Sequence, residues 1–375
     1  MVGLITHDWI EKDGGAEKVL QSFSDLFPTA DLFTLWNESE HGSYQTRILE
    51  SKLSRLNFNN RKIVSLPIMP FVWSQFNTSQ YDWILSSTHL FAHHVNPSSA
   101  KKVIKKCVYV HTPARYLWEP NIDSRGDVLL VRMVAKPLKK IDQYQARNSD
   151  SIASNSHFVK TRVEKFWKRD SIVIYPPVEV HNIQSTTNWE EQLQEQENEI
   201  FQKLNFDFLF AASRLVKYKQ IEKAIHFAKW NDIPLVIAGS GPEFERLQTL
   251  SIDLKIRTIF LGRVSNSLMR ALYRKSFAYV FPPIEDFGIM PVEAMASGAV
   301  VIANQIGGTS ETIVDGESGL LVNFEDESLC KQAFSRITPT LRVGAIERSK
   351  IFSRERFELE IVDWLRANGI SQGVN

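Results

Sequence analysis

The chain has 375 residues, 43% hydrophobic and 23% charged, with a net charge of +1; this is a globular balance without the global field that would draw it to nucleic acid. Its length exceeds one ordinary core and suits two domains of roughly 150–200 residues each. No apolar run approaches the roughly 20 residues needed to span a bilayer, and the two distant cysteines, Cys107 and Cys330, sit in apolar settings and read as buried thiols of a cytosolic protein, not as a disulfide.

Met1 to Asp8 is too short for a signal peptide and lacks its basic flank; Val2 to Thr6 reads as a buried strand and His7 to Asp13 as a loop. A helix opens at Gly14-Gly15, with Val19, Leu20, Phe23, Leu26 and Phe27 at helical spacing. A glycine pair between strand and helix offers backbone N–H groups to an anion. Asp31 to Trp36 reads as the second strand. From Lys52 to Trp73, bases (Lys52, Arg55, Arg61, Lys62) alternate with Phe58, Leu66, Ile68, Met69, Phe71 and Trp73. Two readings stay open: docking on an anionic bilayer, or a core helix with solvated bases. Tyr81 to Ser87 is a strand that places Ser86, Ser87 and His89 at the carboxyl edge of a sheet, where open α/β folds bind ligands.

Lys102 to Val110 is a further strand and ends in His111-Thr112-Pro113-Ala114-Arg115-Tyr116-Leu117-Trp118-Glu119. A neutral imidazole at a strand end donates to or accepts from a sugar hydroxyl. Leu129 to Arg147 carries Arg132, Lys136, Lys139, Lys140 and Arg147 on an amphipathic helix, whose basic face suits a membrane, a diphosphate lipid or solvent alone. His157 to Trp167 is a helix capped by Ser156 or Asn155, and Ser171 to Val178 is the last strand of the first domain. The first domain spans 1–180. Residues 181–204 are polar and glutamate-rich and read as a linker with an exposed helix.

The second domain, 205–352, opens with the strand Phe206 to Ala212 and a turn bearing Arg214, Lys217 and Lys219. Cations at such a turn stabilise a departing diphosphate without a metal. Leu235 to Ala238 and Ile259 to Val264 are strands, each meeting a glycine, and Leu268 to Lys275 is a helix. Ser276 to Phe281 is a strand followed by Pro282-Pro283-Ile284-Glu285-Asp286-Phe287-Gly288-Ile289-Met290-Pro291 and the helix Val292 to Ala296, with Pro291 at its first position. Free N–H groups and the helix dipole there attract a phosphate. The carboxylates of Glu285 and Glu293 accept hydrogen bonds from neighbouring hydroxyls, which suits a sugar. Gly298 to Asn304 is a buried strand, and Ile306-Gly307-Gly308-Thr309-Ser310-Glu311 opens another helix. Residues 353–375 form a terminal helix that packs back on the first domain. No Asp-x-Asp pair with metal-ligand spacing occurs.

The Glu285/Glu293 pair, the Gly-Gly-Thr-Ser-Glu segment, and Asp315-Gly316-Glu317-Ser318-Gly319-Leu320-Leu321-Val322 together resemble the donor-binding signature of glycosyltransferase family 4, the retaining nucleotide-sugar transferases of GT-B fold. Tyr175-Pro176-Pro177-Val178 and the His111 cluster extend the resemblance over nearly the whole chain, toward a mannosyltransferase-like subgroup of bacterial surface-polysaccharide synthesis. The resemblance implies two doubly wound Rossmann-like domains facing a cleft. It places His111 and Glu285 at the reacting sugar and Glu293 on the ribose. Arg214 and Lys219 fall on the diphosphate, as do Gly14 and Gly15 from across the cleft. Arg263 and Val264 fall at the nucleobase, and the N–H groups of Phe287, Gly288 and Ile289 at the sugar and diphosphate. Arg115 and Trp118 face the acceptor or, for Trp118, simply pack. The implied donor is GDP-mannose, with a UDP-hexose as the alternative, and no metal cofactor is expected. The implied acceptor is a glycan or a polyprenyl-diphosphate-linked acceptor. The expected place is the cytoplasm, with contact at the inner face of the membrane left open. Asp286 departs from the commoner Glu-Gly-Phe-Gly. A catalytically inactive nucleotide-sugar-binding partner subunit is the rival from another class.

Overall fold

The computed structural model describes residues 2–12, 14–40, 42–56, 65–99, 102–120, 129–186 and 188–370, the side chains of 129–133 excepted. The chain divides into two compact units, Met1–Pro177 with Arg354–Asn375, and Val178–Ser353.

The first unit is built on seven parallel strands, β1 (Gly3–His7), β2 (Asp31–Thr34), β3 (Arg47–Glu50), β4 (Trp83–Thr88), β5 (Lys105–Val110), β6 (Ser151–Ser154) and β7 (Ile172–Val173), in the order β3-β2-β1-β4-β5-β6-β7. Successive side chains of a strand point to opposite faces. Leu4 and Ile84 therefore enter one apolar core with Phe33 and Trp73. Ile5, Leu85, Cys107 and Tyr109 enter the other, with Val19, Leu20 and Phe23 of the helix Gly15–Leu26. The terminal helix Arg354–Ala367 closes this second face, as expected from the sequence. Its Phe357 ring lies 5.8 Å from Phe23 and 5.7 Å from Tyr109. Where both faces are covered, the strands read as continuous apolar runs and were legible; β3, exposed at both its ends, was not.

The second unit has six parallel strands, β8 (Leu209–Ala212), β9 (Leu235–Ala238), β10 (Thr258–Gly262), β11 (Ala278–Phe281), β12 (Val301–Asn304) and β13 (Leu320–Val322), in the order β10-β9-β8-β11-β12-β13. Leu209, Ala211, Leu235 and Ile237 fill one face, and Phe210, Ala212, Val236 and Ala238 the other. Both sheets thus reverse strand order next to their first strand, between β1 and β4 and between β8 and β11. In doubly wound sheets the crevice for ligands opens there, at the carboxyl ends of the strands.

Three expectations change. Residues 181–204 are not a linker: the second unit begins at Val178, helix Val180–Ser185 buries Ile183, and the mostly exposed helix Glu195–Lys203 buries Phe201, with Leu204 buried just after it. Too few apolar positions mark this stretch to show above its glutamates. The last strand of the first unit shrinks to Ile172–Val173, because the Pro176-Pro177 pair that follows cannot donate to a ladder. The basic and aromatic stretch from Lys52 to Trp73 is split: Phe58, Arg61 and Lys62 lie outside the described residues, as does the side chain of Arg132. Of the remainder, Leu66, Met69 and Trp73 are core and Ile68 and Phe71 are exposed. Cys107 and Cys330 are free and buried, and burial pushes both thiols up to about 12. Among the described residues no helix is long and apolar enough to cross a membrane.

Candidate active site

The chain leaves β11 through Pro282 and Pro283 and turns at Gly288, whose φ of 93° is a left-handed conformation that glycine adopts without strain. The helix Ile289–Ala296 starts two residues before the expected Pro291. Proline is tolerated there because the N–H groups of a first helical turn have no partner within the helix. A second loop holds the first from behind. Asn304 Nδ2 donates to the Pro282 carbonyl at 3.0 Å and Gly308 N to the Glu285 carbonyl at 2.7 Å. A Cβ at Gly308 would run into the Asp286 carbonyl. The Gly-Gly-Thr segment is thus a buttress that fixes the shape of the Glu285 loop.

Glu285 forms an ion pair with Lys219. Lys219 follows β8 and Glu285 follows β11, so the pair stands at the switch point of the second sheet. Both side chains are largely covered, at 17% and 19% exposure. Glu293 lies on the inner side of the helix and meets Arg270 Nη2 at 2.9 Å. Arg270 comes from the helix Asn266–Lys275, and no motif in the sequence marked it. Arg214 Nη2 donates to the Tyr218 hydroxyl at 2.7 Å, and Arg263 Nε to Ser240 Oγ at 3.2 Å. Val264 packs against the core, while the Phe287 ring is buried against Phe352, 5.4 Å away, ahead of Gly288 and Ile289. The carboxyl ends of β8, β10 and β11 thus carry Arg214 and Lys219, Arg263 and Val264, and Glu285. This one edge combines cations, carboxylates and a helix N-terminus, the groups that hold a phosphorylated sugar.

The first unit has a second polar cluster at its own switch point. His7, at the end of β1, pairs in register with Ser87 of β4. Ser87 Oγ lies 3.0 Å from His7 Nδ1 and 2.8 Å from His111 Nε2, just past β5. Asp8 is fully buried, and its carboxylate accepts the N–H groups of His89 and Leu90 at 2.8 Å and of Phe91 and Ala92 at 2.7 Å. This holds the His89 ring 5.6 Å from that of His7. Burial works to raise the Asp8 carboxyl, but His89, His7 and the backbone donors outweigh it and hold it below the usual range. Burial, then His89, pushes His7 down to about 3. Burial, then His7 and His89, holds His111 well below the ordinary imidazole value. Both imidazoles are neutral at physiological pH and act by hydrogen bonding. The sequence reading named His111 and Ser87 but left His7 and Asp8 in a loop. Ser86 faces the other way, bonded to Thr6 at 2.9 Å.

Gly14 caps the helix Gly15–Leu26, but the Glu17 carboxylate lies over it and accepts from Glu11 N at 3.0 Å. A carboxylate of the chain itself therefore already meets this helix end, where the resemblance puts donor phosphates. Arg115 opens the short helix Arg115–Trp118. The Trp118 ring stacks on Phe166 at 5.0 Å, and its Nε1 donates to Asp142 Oδ2 at 2.6 Å. Asp142 Oδ2 also accepts from Trp167 Nε1 at 2.7 Å, and Oδ1 lies 3.1 Å and 3.0 Å from His93 and His94 Nε2. His93, His94 and Asp142 are the one group of described residues with metal-ligand spacing. Its carboxylate is already engaged as a buried hydrogen-bond hub.

Residues 193–337 match the family described as glycosyl transferases group 1. The chain is 29% identical over 188 residues to the O-antigen chain mannosyltransferase RfbU of Salmonella typhimurium, covering 48% of the chain and 49% of RfbU. It is 24% identical over 329 residues to the alpha-1,3/1,6-mannosyltransferase ALG2 of Dictyostelium discoideum, covering 77% and 75%. An uncharacterized glycosyltransferase of Methanocaldococcus jannaschii is 26% identical over 222 residues, covering 57% and 58%. Across the first of these relatives the chain spans roughly half their length, from 40% to 58%. Among solved structures, Anabaena HepE in complex with UDP superposes with a TM-score of 0.73 at 16% identity, over 98% of this chain and 100% of that one. Sucrose-phosphate synthase of Thermosynechococcus elongatus gives 0.72 at 17% identity, over 99% of each. The fold is therefore GT-B, two parallel-sheet α/β domains with a helical C-terminus. Within it, the segment 193–337 is what matches the glycosyl transferases group 1.

Proposed function

We propose that the chain is a retaining glycosyltransferase that moves a hexose, mannose from GDP-mannose, onto a hydroxyl of a lipid-linked glycan, as part of bacterial polysaccharide or lipopolysaccharide synthesis. The observation that carries this reading is the Lys219–Glu285 pair at the switch point of the second sheet, beside the glycine turn and free N-terminus of the helix Ile289–Ala296. A nucleoside diphosphate sugar satisfies every group there. Its diphosphate takes Lys219, Arg214 and the N–H groups of Gly288 and Ile289, and its sugar hydroxyls take Glu285. The ribose falls to Glu293 and the base to the backbone at Arg263 and Val264. The sugar C1–O bond to phosphate breaks as C1 bonds to the acceptor oxygen on the same face. The acceptor proton passes to the departing phosphate oxygen, so the products are a glycoside and a nucleoside diphosphate. Lys219 and Arg214 stabilise the charge that develops on the leaving group, in a reaction without a metal. The similarity to RfbU and ALG2, both named as mannosyltransferases, supports the choice of sugar.

Calorimetric titration with GDP, UDP, ADP and dTDP, with and without EDTA, tests the donor. Selective binding of GDP that survives EDTA is expected. Selective UDP binding would replace mannose with a UDP-hexose, and no binding would leave a partner subunit without transfer. Glu285→Ala abolishes transfer with the fold intact; turnover like the wild type would remove Glu285 from the site.

A further inference from the structure

The hydrogen-bond chain His7–Ser87–His111 has a direction. His7 is fully buried, and its Nε2 has no hydrogen-bond partner among the described residues. Orphaned buried N–H groups are rarer in proteins than under-used acceptors, so the neutral His7 ring carries its proton on Nδ1. That N–H donates to Ser87 Oγ, 3.0 Å away. A serine hydroxyl has one proton to give. Having accepted from His7, Ser87 gives that proton to His111 Nε2, at 2.8 Å. A neutral imidazole that accepts at Nε2 is protonated at Nδ1. The opposite order would leave an N–H on His7 Nε2 buried with no acceptor.

We propose that Ser87 and His7 are positioning residues that hold His111 in its Nδ1–H form, so that His111 gives a hydrogen bond to a sugar oxygen and does not serve as a base. This rests on the reading of His111 as a sugar-facing residue. The three groups stand side by side because β1, β4 and β5 are neighbours in the sheet and His7 lies in register with Ser87. Burial falls along the chain in the same sense. His7 and Ser87 are at 0% exposure, while His111 keeps 8%, and its ring makes no other hydrogen bond among the described residues. The far end is fixed as well, since the Asp8 carboxylate ties down the loop after β4 through four backbone N–H groups. The orientation of His111 is thus set from inside the unit, before any ligand arrives.

The direct measurement is the tautomer of His111, from two-bond nitrogen–proton correlations on protein labelled with 15N-histidine, at neutral pH without substrate. The expected pattern is a protonated Nδ1 and a bare Nε2 for both His111 and His7. A protonated Nε2 on His111 would overturn the proposal, whatever the enzyme turns over. Kinetics give the second arm. Ser87→Ala and His7→Leu are expected to lower kcat on the order of 10- to 100-fold, the scale of a misplaced catalytic group, while GDP affinity stays at the wild-type value. His7→Asn, whose amide can stand where Nδ1–H stood, is expected to restore most of the loss. If His111→Ala is inactive while Ser87→Ala and His7→Leu turn over like the wild type, the relay is wrong. If His111→Ala itself is fully active, the sugar-facing reading falls, and the nitrogen pattern alone then decides the hydrogen-bond order. Melting midpoints of each variant separate misfolding from mispositioning, and should His7→Leu fail to fold, Ser87→Ala and His7→Asn carry the comparison.

Discussion

At the scale of single residues, Glu285 and Lys219 neutralise each other before a ligand is bound. A covered carboxylate without a cation is costly, and a charge-assisted hydrogen bond is worth about 1.5–3 kcal/mol. Lys219→Met should therefore weaken nucleoside diphosphate binding by roughly 10- to 100-fold, read by calorimetry; unchanged affinity would remove Lys219 from the diphosphate site. The buried histidines make a separate prediction about stability. His7 is pushed down to about 3 and His94, by burial and then His93, to about 4, from an ordinary 6.5. Below 6.5 the unfolded chain binds protons that the folded chain refuses, so stability rises with pH in this window. It is fully present above about pH 6.5 and is lost as pH falls toward 4 and then 3. The cost is roughly 1 kcal/mol per pH unit for each histidine. Urea midpoints should fall steeply from near pH 7 to about pH 5, and His7→Asn should flatten that slope. An equally steep slope in the variant would show that His7 is not buried in its neutral form.

At the scale of elements, the site depends on two loops pressed together, Pro282 to Gly288 and Gln305 to Thr309. Gly308 permits the contact because a Cβ there would meet the Asp286 carbonyl, which is backbone and cannot swing aside. Gly308→Ala should push the Glu285 loop out of place and raise the Kd for nucleoside diphosphate by about 10-fold or more, of the order expected when a positioned group shifts by about an ångström. The sheet of the second unit should keep its circular-dichroism signal; tight binding by this variant would mean that the loop shape does not matter. This strand–turn–helix was legible because its markers are local: Pro282 and Pro283 end the strand, Gly288 takes the left-handed turn, and the acids stand within one segment. The pairing of Glu285 with Lys219 was not legible, because 66 positions separate them and only the strand order β8-β11 joins them. Asp8 was missed for the same reason, since its partners lie 81 to 84 positions away. His7 was missed because a polar residue ending a strand looks like the first residue of a loop. The attachment of residues 180–203 to the second unit was missed because Ile183 and Phe201 anchor this stretch almost alone.

At the scale of the whole molecule, two units with separate cores should respond to different insults. The terminal helix is sequence-distant from the sheet it covers but belongs to the first unit's core. Phe357, Ile361, Trp364 and Leu365 are all buried there, and Trp364 Nε1 donates to Ser151 Oγ at 2.8 Å. Burying one such side chain contributes about 1.5–3 kcal/mol, so the four together are comparable with the roughly 5–15 kcal/mol that holds a domain folded. A chain ending at Ser353 should therefore lose the melting transition of the first unit and keep that of the second. The groups proposed to hold the donor, at the ends of β8, β10 and β11, belong to the second unit. GDP at about 100 times its Kd should stabilise that unit by about 2.7 kcal/mol, a rise of roughly 5–10 °C for a unit of this size. Scanning calorimetry on both chains tests the two statements together. The nucleotide shift should survive the truncation, because Lys219, Arg214, Glu285 and Glu293 all belong to the second unit. Loss of that shift on truncation, with the second transition still present, would mean that the first unit supplies part of the nucleotide affinity, and Gly14 and Gly15 would then be the groups to mutate next.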